Sequence, residues 1–149
     1  MLNRSLINKK CQPISFRIKE ERLILFAKAT GQTDPIYFDE NKARAKGYSA
    51  LIAPPTFLTV LDNEKDNLFH YLSNLSIDLS KILHVGQIYK YYKPVFSGDV
   101  ITMEGQIVNI FDKNNGALQF FDFESKYSNQ KSTVVAESLS TMVIRMNYE

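Results

Sequence analysis

The 149-residue sequence predicts an α+β domain in which an antiparallel sheet wraps around one apolar helix. Three observations support this class. Helical patterns occupy the first half of the chain, whereas from His84 onward the chain is rich in Val, Ile, Tyr, Phe and Thr. One predicted helix, in "APPTFLTVL", is apolar on nearly all sides, which is typical of a buried helix. The later segments alternate apolar and polar residues, as strands with one covered face do.

The first predicted elements are a short strand and a helix. "ISFRI", residues 14–18, has the composition of a strand. In the following "KEERLILFAKATG", apolar residues recur at helical spacing at Leu23, Phe26 and Ala27, and Gly31 stands where a C-terminal glycine ends a helix. A strand followed by a helix of about three turns is therefore expected.

The next segment predicts a turn and two further helices. Asp34 precedes Pro35, a pair that favours an extended backbone and an Asx-type turn. In "DENKARAKG", Asp39 is a good N-cap and Gly47 a good stop for a short surface helix. Pro55 suits the first position of the apolar helix, where its missing N–H costs nothing.

Four long strands are predicted in the second half of the chain, as a meander. The turn signals "FSGD", "KNNG" and "NQK" separate them. The buried face of the second is expected to carry Ile101, Met103, Gly105 and Ile107, and that of the third Phe121, Phe123 and Tyr127. Residues 68–82 predict a helical connection, and the polar first dozen residues are expected to be loosely held at the very end.

Composition restricts the class of protein. A net charge of +2 gives no reason to expect a nucleic acid or an anionic membrane as partner. Cys11 is the single cysteine, so neither an intrachain disulfide nor a multi-cysteine metal site is expected. The apolar runs are far shorter than the roughly 20 residues of a membrane span, and no signal peptide is expected. We therefore expect one cytoplasmic domain over residues 1–149.

Two stretches together resemble a known family. They are "TGQTDPIYFDENKARAKGYSALIAPPTF" and "LHVGQIYKYYKPVFSGDVI". In the MaoC-like (R)-specific enoyl hydratases and dehydratases the first reads "SGD-x-NP-[IV]-H", an acidic helix ending in "GF", and "IAHG". The chain is most similar to the FAS1-like dehydratase branch, with its "APPTF" and "LHGEQ…PLxxGD" signatures. The resemblance runs from about Phe16 to Arg145 and implies the hot-dog fold.

The departures from the family pattern bear on function. Where the catalytic branch has an aspartate and a histidine as base and acid, this chain has Gln32 and Tyr37. Pro55, which has no N–H to offer, aligns with the glycine whose N–H binds the thioester oxygen. The resemblance thus implies an acyl-thioester-binding, non-catalytic subunit of a (3R)-hydroxyacyl-CoA or hydroxyacyl-ACP dehydratase (an enoyl hydratase) in fatty-acid-type metabolism. The thioester is the substrate, no cofactor is expected, and the assembly is a homodimer or a heterodimer with a catalytic subunit.

The candidate site residues follow from the same alignment. For catalysis Tyr37, Asp34 and His84 are candidates, none of them firmly assigned. Substrate binding is predicted for Gln32, Tyr37, Pro54, Pro55, Thr56, Phe57, His84 and Gly86. Arg44 and Lys46, with Lys42 beside them, could meet the phosphates of coenzyme A or of a carrier's pantetheine arm. No metal ligands are predicted.

Plainer interpretations stand beside these. Asp34 could simply hold its turn, His84 could be structural, and Phe57, Phe120, Phe121 and Phe123 could be core rather than an acyl tunnel. Three other functions remain open. They are an acyl-CoA thioesterase, whose helix would here supply only Asp62, a self-sufficient hot-dog dehydratase with displaced catalytic residues, and a non-enzymatic ligand-binding or assembly subunit.

Overall fold

The computed structural model describes residues 2–63 and 79–145. Five strands form one sheet: β1 Ile14–Arg17, β2 Ile82–Tyr91, β3 Val100–Lys113, β4 Leu118–Ser128 and β5 Val134–Arg145. The α-helices are α1 Glu20–Ala29 and α2 Glu40–Ala45, and 3-10 helices cover Arg4–Leu6, Pro35–Tyr37, Phe57–Asn63 and Leu79–Lys81. The α+β class is confirmed.

The sheet is antiparallel throughout, in the order β1-β3-β4-β5-β2. The predicted meander is correct from β3 to β5 and wrong for β2, which pairs with β5 instead of β3. The reason is that β3 already has β4 on one side and β1 on the other. The segment 92–99 therefore crosses from one edge of the sheet towards the other.

The predicted buried faces of β3 and β4 are confirmed. Phe121, Phe123 and Tyr127 expose 0%, 1% and 0% of their surface. Gly105 lies under the ring of Phe123, and a Cβ atom built on it would stand 2.3 Å from that ring. A side chain at position 105 would therefore displace the ring of Phe123 from its present place.

The apolar helix lies in the same core as these strands, as predicted, but it is a 3-10 helix over Phe57–Asn63. Phe57, Leu58 and Leu61 are each 3% exposed. The expectation that Pro55 opens the helix is wrong, because Thr56 intervenes with a φ of +66°. The left-handed backbone conformation of Thr56, which is unusual for a β-branched residue, turns the chain just before the helix begins.

The predicted helical connection over 68–82 falls largely outside the described residues. Within it the structure describes the 3-10 helix Leu79–Lys81 and the first residue of β2, Ile82. The second histidine, His70, and the side chain of Asp62 also lie outside the part that is described.

The helices that precede the core helix form as the sequence predicts. In α1, Leu23 and Ala27 are fully buried, and Phe26 meets Phe57 edge to face with ring centroids 5.5 Å apart. Gly31, at φ +70°, follows the end of α1. The N-cap Asp39 accepts hydrogen bonds from the first N–H groups of α2, the shorter one 2.8 Å long.

The start of the chain is more firmly held than expected. Leu2 is buried in the core, and the N–H groups of Asn8 and Cys11 donate to the carbonyl groups of Ile107 and Gly105 over 2.7 and 2.8 Å. The physical reason is that the short strand β1 covers only the first residues of β3, which leaves backbone groups further along β3 for the N-terminal segment to bind. Among the described helices, none has the length and apolarity needed to cross a bilayer.

Candidate functional site

Two proline-containing segments meet at the start of the core helix. The N–H of Ala53 donates to the carbonyl of Val95 over 2.8 Å, and the N–H of Ser97 donates to the carbonyl of Leu51 over 2.9 Å. These bonds form a short antiparallel pairing between "LIA" and "VFS", with Ile52 opposite Phe96. The pairing brings the "APPT" turn beside the crossing segment that leaves β2.

A cleft with a volume of about 320 Å³ opens between these segments. Its walls are mainly apolar, with three phenol groups and one ammonium group among them. The residues that line it are Tyr37, Ile52, Ala53, Pro54, Pro55, Leu58, Tyr91, Tyr92, Lys93, Pro94 and Val95. A concave, mostly apolar cleft with a few convergent polar groups is the usual form of a small-molecule site.

Tyr37 enters the cleft from the 3-10 helix Pro35–Tyr37, whose geometry depends on Asp34. Oδ1 of Asp34 accepts a hydrogen bond of 3.1 Å from the N–H of Ile36, and Oδ2 lies 3.2 Å from Nζ of Lys46. The Ile36 N–H, and after it Lys46, hold the pKa of Asp34 below its ordinary value. The Asx-turn interpretation of Asp34 is thereby confirmed.

The phenol of Tyr37 is a poor proton acceptor. Partial burial, and then the nearby Asp34 carboxylate, raise the pKa of Tyr37 above its ordinary value of 10.0. At neutral pH this side chain therefore keeps its proton and can donate a hydrogen bond to a ligand.

Tyr91 holds the "APPT" turn before the core helix by a hydrogen bond. Its hydroxyl oxygen accepts a 2.9 Å hydrogen bond from the N–H of Thr56. Tyr89, one pleat away, bonds the hydroxyl of Thr59, and the two tyrosine rings are stacked at 5.6 Å. The backbone therefore offers no unoccupied donor at this turn, since Pro55 has no N–H and the N–H of Thr56 is engaged.

Several predicted binding residues lie elsewhere. Gln32 follows α1, where its N–H donates to the carbonyl of Ala27 over 2.9 Å, and Phe57 is core. Neither lines the cleft, and neither do His84 and Gly86 on β2. Of the predicted set, Tyr37, Pro54 and Pro55 come together, and Thr56 joins them through Tyr91.

His84 belongs to a polar cluster on β2. One of its ring nitrogens, Nε2, is 3.1 Å from Oε1 of Gln87, which also accepts a 2.6 Å hydrogen bond from the hydroxyl of Ser140. Gly86 follows His84 across a β-bulge. Nε2 of Gln87 is buried and has no hydrogen-bond partner among the described residues. The structure thus gives His84 a local hydrogen-bond partner, and its role towards substrate stays a prediction.

The two cations predicted for phosphate binding are both paired on or near α2. Arg44 lies 2.6 Å from Glu40, and Lys46 lies 3.2 Å from Asp34. Both pairs are exposed to solvent, so they are weak, but each cation already has a carboxylate partner. The described ranges contain no group of three or more His, Cys, Asp and Glu side chains that could hold a metal ion.

Three residues that line the cleft, Tyr91, Tyr92 and Lys93, were not among those predicted from the sequence. The sequence pattern that could have indicated them is weak. Tyr89 and Tyr91 are two residues apart and therefore share a face of β2, which suggests a paired aromatic surface. Nothing in the sequence places that face beside the "APPT" turn, because their meeting depends on the path of residues 92–99.

The sheet order and the buried helix define a protein of the hot-dog fold, with a cleft at the start of that helix. Residues 5–138 match the family described as "FAS1-like, dehydratase domain region". Since this match covers most of the chain, the protein belongs to that family.

Relatives and solved structures that are similar to this chain match it over nearly its whole length. A UPF0336 protein of Thermobifida fusca is 28% identical over 145 residues, which cover 97% of this chain and 94% of the relative. The HadBC (3R-hydroxyacyl-ACP dehydratase) complex of Mycobacterium tuberculosis matches with a TM-score of 0.82 at 24% identity, over 93% of this chain and 96% of the other. A MaoC-like dehydratase of Rhodospirillum rubrum matches with a TM-score of 0.73 at 19% identity, over 100% and 99%. At these identities the two structures establish the hot-dog fold.

Proposed function

We propose that this chain is a non-catalytic, acyl-thioester-binding subunit of a (3R)-hydroxyacyl-CoA or hydroxyacyl-ACP dehydratase. The observation that carries the proposal is the lining of the cleft, which consists of apolar side chains, three phenols and one ammonium. The apolar side chains can surround an acyl thioester, and the hydroxyl groups of Tyr37 and Tyr91 and the ammonium of Lys93 can donate hydrogen bonds to its oxygen atoms.

Proton transfer is the part of the reaction that these residues support poorly. Dehydration of a hydroxyacyl thioester needs a base for the proton beside the carbonyl and an acid for the leaving hydroxyl. The pKa of Tyr37 is raised, so at neutral pH even less of it is in the phenolate form that could accept a proton than for an ordinary tyrosine. Gln32 has an amide that neither gains nor loses a proton in this range.

The backbone at the turn supports the same conclusion. In the catalytic branch that the chain resembles, a backbone N–H at the start of the core helix binds the thioester oxygen. Here Pro55 has none, and the N–H of Thr56 already donates to Tyr91. A thioester carbonyl would have to displace Tyr91 to use this donor. Binding by phenol donors, without activation of the carbonyl, is the better-supported role.

The catalytic groups would then come from a partner of the same fold, seated on β2. Among the described residues, β2 is paired on one side only. It exposes the large apolar side chains of Leu83, Val85, Ile88 and Tyr91, and Tyr92, directly after the strand, is exposed as well. An exposed apolar edge strand is a ready site for pairing with another chain. The similar HadBC structure is itself a complex, which supports a heteromeric assembly for this chain.

Hydration assays with crotonyl-CoA test this proposal. The isolated chain is expected to bind a saturated acyl-CoA but to give no hydration above background. Co-expression with a hot-dog chain that carries the Asp/His pair should give activity that depends on both subunits. Saturated acyl-CoA binding is the control for folding, because a misfolded chain would lose it.

One result would overturn the non-catalytic role. If the isolated chain hydrates crotonyl-CoA at the rate of a working enzyme, and Tyr37→Phe abolishes that rate while leaving acyl-CoA binding intact, the chain is a self-sufficient dehydratase with displaced catalytic residues. Release of free thiol from acyl-CoA would point instead to a thioesterase.

A further inference from the structure

Charge is distributed unevenly in the cleft. Of its described lining residues, Lys93 alone has a charged side chain. The walls around it are aliphatic or aromatic, and the remaining polar groups are phenols, of which Tyr37 and Tyr91 can donate a hydrogen bond to a ligand. Such a lining fits a ligand with an apolar body, oxygen acceptors and one negatively charged group.

The backbone of Lys93 is fixed while its ammonium is unengaged. The N–H groups of Tyr92 and Lys93 both donate to the carbonyl of Val135, over 2.9 and 3.2 Å, and Pro94 follows directly. The side chain of Lys93 has no ion pair and no hydrogen bond within residues 2–63 and 79–145. The backbone of Lys93 is thus held in place by hydrogen bonds, while its ammonium group can bind a ligand.

The neighbouring polar groups are already engaged within the protein. The hydroxyl of Tyr92 donates to Glu137 over 2.5 Å, and the Tyr92 ring lies 5.1 Å from Nζ of Lys90. Arg44 and Lys46, the cations predicted from the sequence, have carboxylate partners. Lys93 is therefore the cation that combines a place in the cleft with an unpaired charge.

We infer that Lys93 binds the phosphate of the pantetheine arm, the group shared by coenzyme A and a phosphopantetheinylated carrier protein. This inference rests on the proposed function, because it takes an acyl thioester as the occupant of the cleft. The acyl part contacts the apolar wall and the phosphate meets the ammonium at the exposed side of the cleft. An ammonium on a four-carbon stem recognises phosphate as a point charge, without the fixed geometry of an arginine.

Three ligands with one acyl group test the inference by calorimetric titration of the full chain. They are octanoyl-pantetheine, which has no phosphate, octanoyl-4′-phosphopantetheine and octanoyl-CoA. We expect Lys93→Gln to weaken binding of the two phosphate-bearing ligands by about three- to tenfold, as for a partly exposed charge pair. Binding of octanoyl-pantetheine should stay unchanged, and Lys93→Arg should restore most of the loss. Added salt should weaken only the phosphate-bearing ligands.

Lys28→Gln is the matched control. Lys28 lies on α1, outside the cleft, and its loss changes the net charge of the protein by the same amount. It should leave all three affinities unchanged. An effect of Lys28→Gln equal to that of Lys93→Gln would overturn the assignment, and so would equal weakening of all three ligands by Lys93→Gln. Weakening of octanoyl-CoA alone would move the contact to the nucleotide phosphates.

The outcomes also separate this inference from the proposed function. If octanoyl-pantetheine binds the wild-type chain and Lys93→Gln changes no affinity, the thioester role stands and the phosphate contact is wrong. If none of the three ligands binds the wild-type chain, both are wrong. The thermal midpoint of each variant shows that it is folded.

Discussion

The strands β4 and β2 are both rich in aromatic residues, yet they use them in opposite ways. In β4, Phe121, Phe123 and Tyr127 are almost completely buried. At the end of β2, Tyr91 is 50% exposed, and Tyr92 directly after the strand is 41% exposed. One strand builds the core, and the other presents an apolar surface.

Position in the sheet accounts for the difference. β4 lies between β3 and β5 and has neighbours on both edges, whereas in the part of the chain that the structure describes β2 is paired only with β5. A central strand buries the aromatic residues of its core-facing side almost completely, as Phe121, Phe123 and Tyr127 show. At the edge, the same residue types have fewer neighbours and remain available to a ligand or to another chain. Aromatic content alone therefore does not distinguish core from binding surface.

The largest expected effect tests the core side of this comparison. Phe123→Ala should lower the free energy of unfolding by about 3–5 kcal/mol, because it leaves a cavity above Gly105. Tyr91→Ala, at the edge, should cost clearly less. Urea denaturation followed by circular dichroism measures both.

A second core variant sharpens the same point. Gly105→Ala places a methyl group where the Phe123 ring now lies, so it should also destabilise the protein, by about 1–3 kcal/mol. A smaller side chain at position 123 should recover part of that loss. If Tyr91→Ala proves as costly as Phe123→Ala, the contrast between the two strands is wrong.

The edge side of the comparison is tested by Ile88→Lys. We expect it to abolish co-purification with a catalytic hot-dog partner while changing the free energy of unfolding of the isolated chain by less than about 0.5 kcal/mol. Leu25→Lys is the matched control, because Leu25 on α1 is 68% exposed, much like Ile88 at 65%. Retained partner binding by Ile88→Lys would exclude the β2 edge as the interface.

The smallest expected effect concerns Asp34, whose pKa is lowered by the Ile36 N–H and then by Lys46. A lowered carboxyl pKa means stability that is present above the ordinary value of 3.8 and is lost as the pH falls through the folded-state value. Asp34→Asn keeps an oxygen for the turn but removes the charge. Its thermal midpoint should be slightly below that of the wild type at neutral pH, and the gap should close below about pH 4. A gap that persists in acid would show that the charge is not responsible.

Much of the fold could be predicted from local pattern. Asp34 and Asp39 cap their turns, and Gly31 ends α1, because each acts on backbone groups a few residues away. The burial of Phe121 and Phe123 followed from the alternation of a strand. Each of these features depends only on residues a few positions away in the sequence, so a local pattern is enough to predict it.

The cleft needed information that local pattern does not contain. Tyr91 meets Thr56 across 35 positions of sequence, and Lys93 reaches the cleft because β2 pairs with β5 and residues 92–99 then cross the sheet. Strand order depends on which edges remain free after the other strands have paired. The resemblance to the family pointed to Tyr37, Pro54 and Pro55 on one side of the cleft. The residues on the opposite side were identified only from the structure.

The hydrogen bond from the N–H of Thr56 to Tyr91 joins the proposed binding cleft to the strand proposed to receive the partner. If docking on β2 moves Tyr91 or makes it rigid, the affinity of the cleft must change with it. Thermodynamic reciprocity then requires the occupied cleft to alter partner affinity by the same factor. Through the phenol of Tyr91, assembly of the proposed complex would then depend on whether the cleft is occupied.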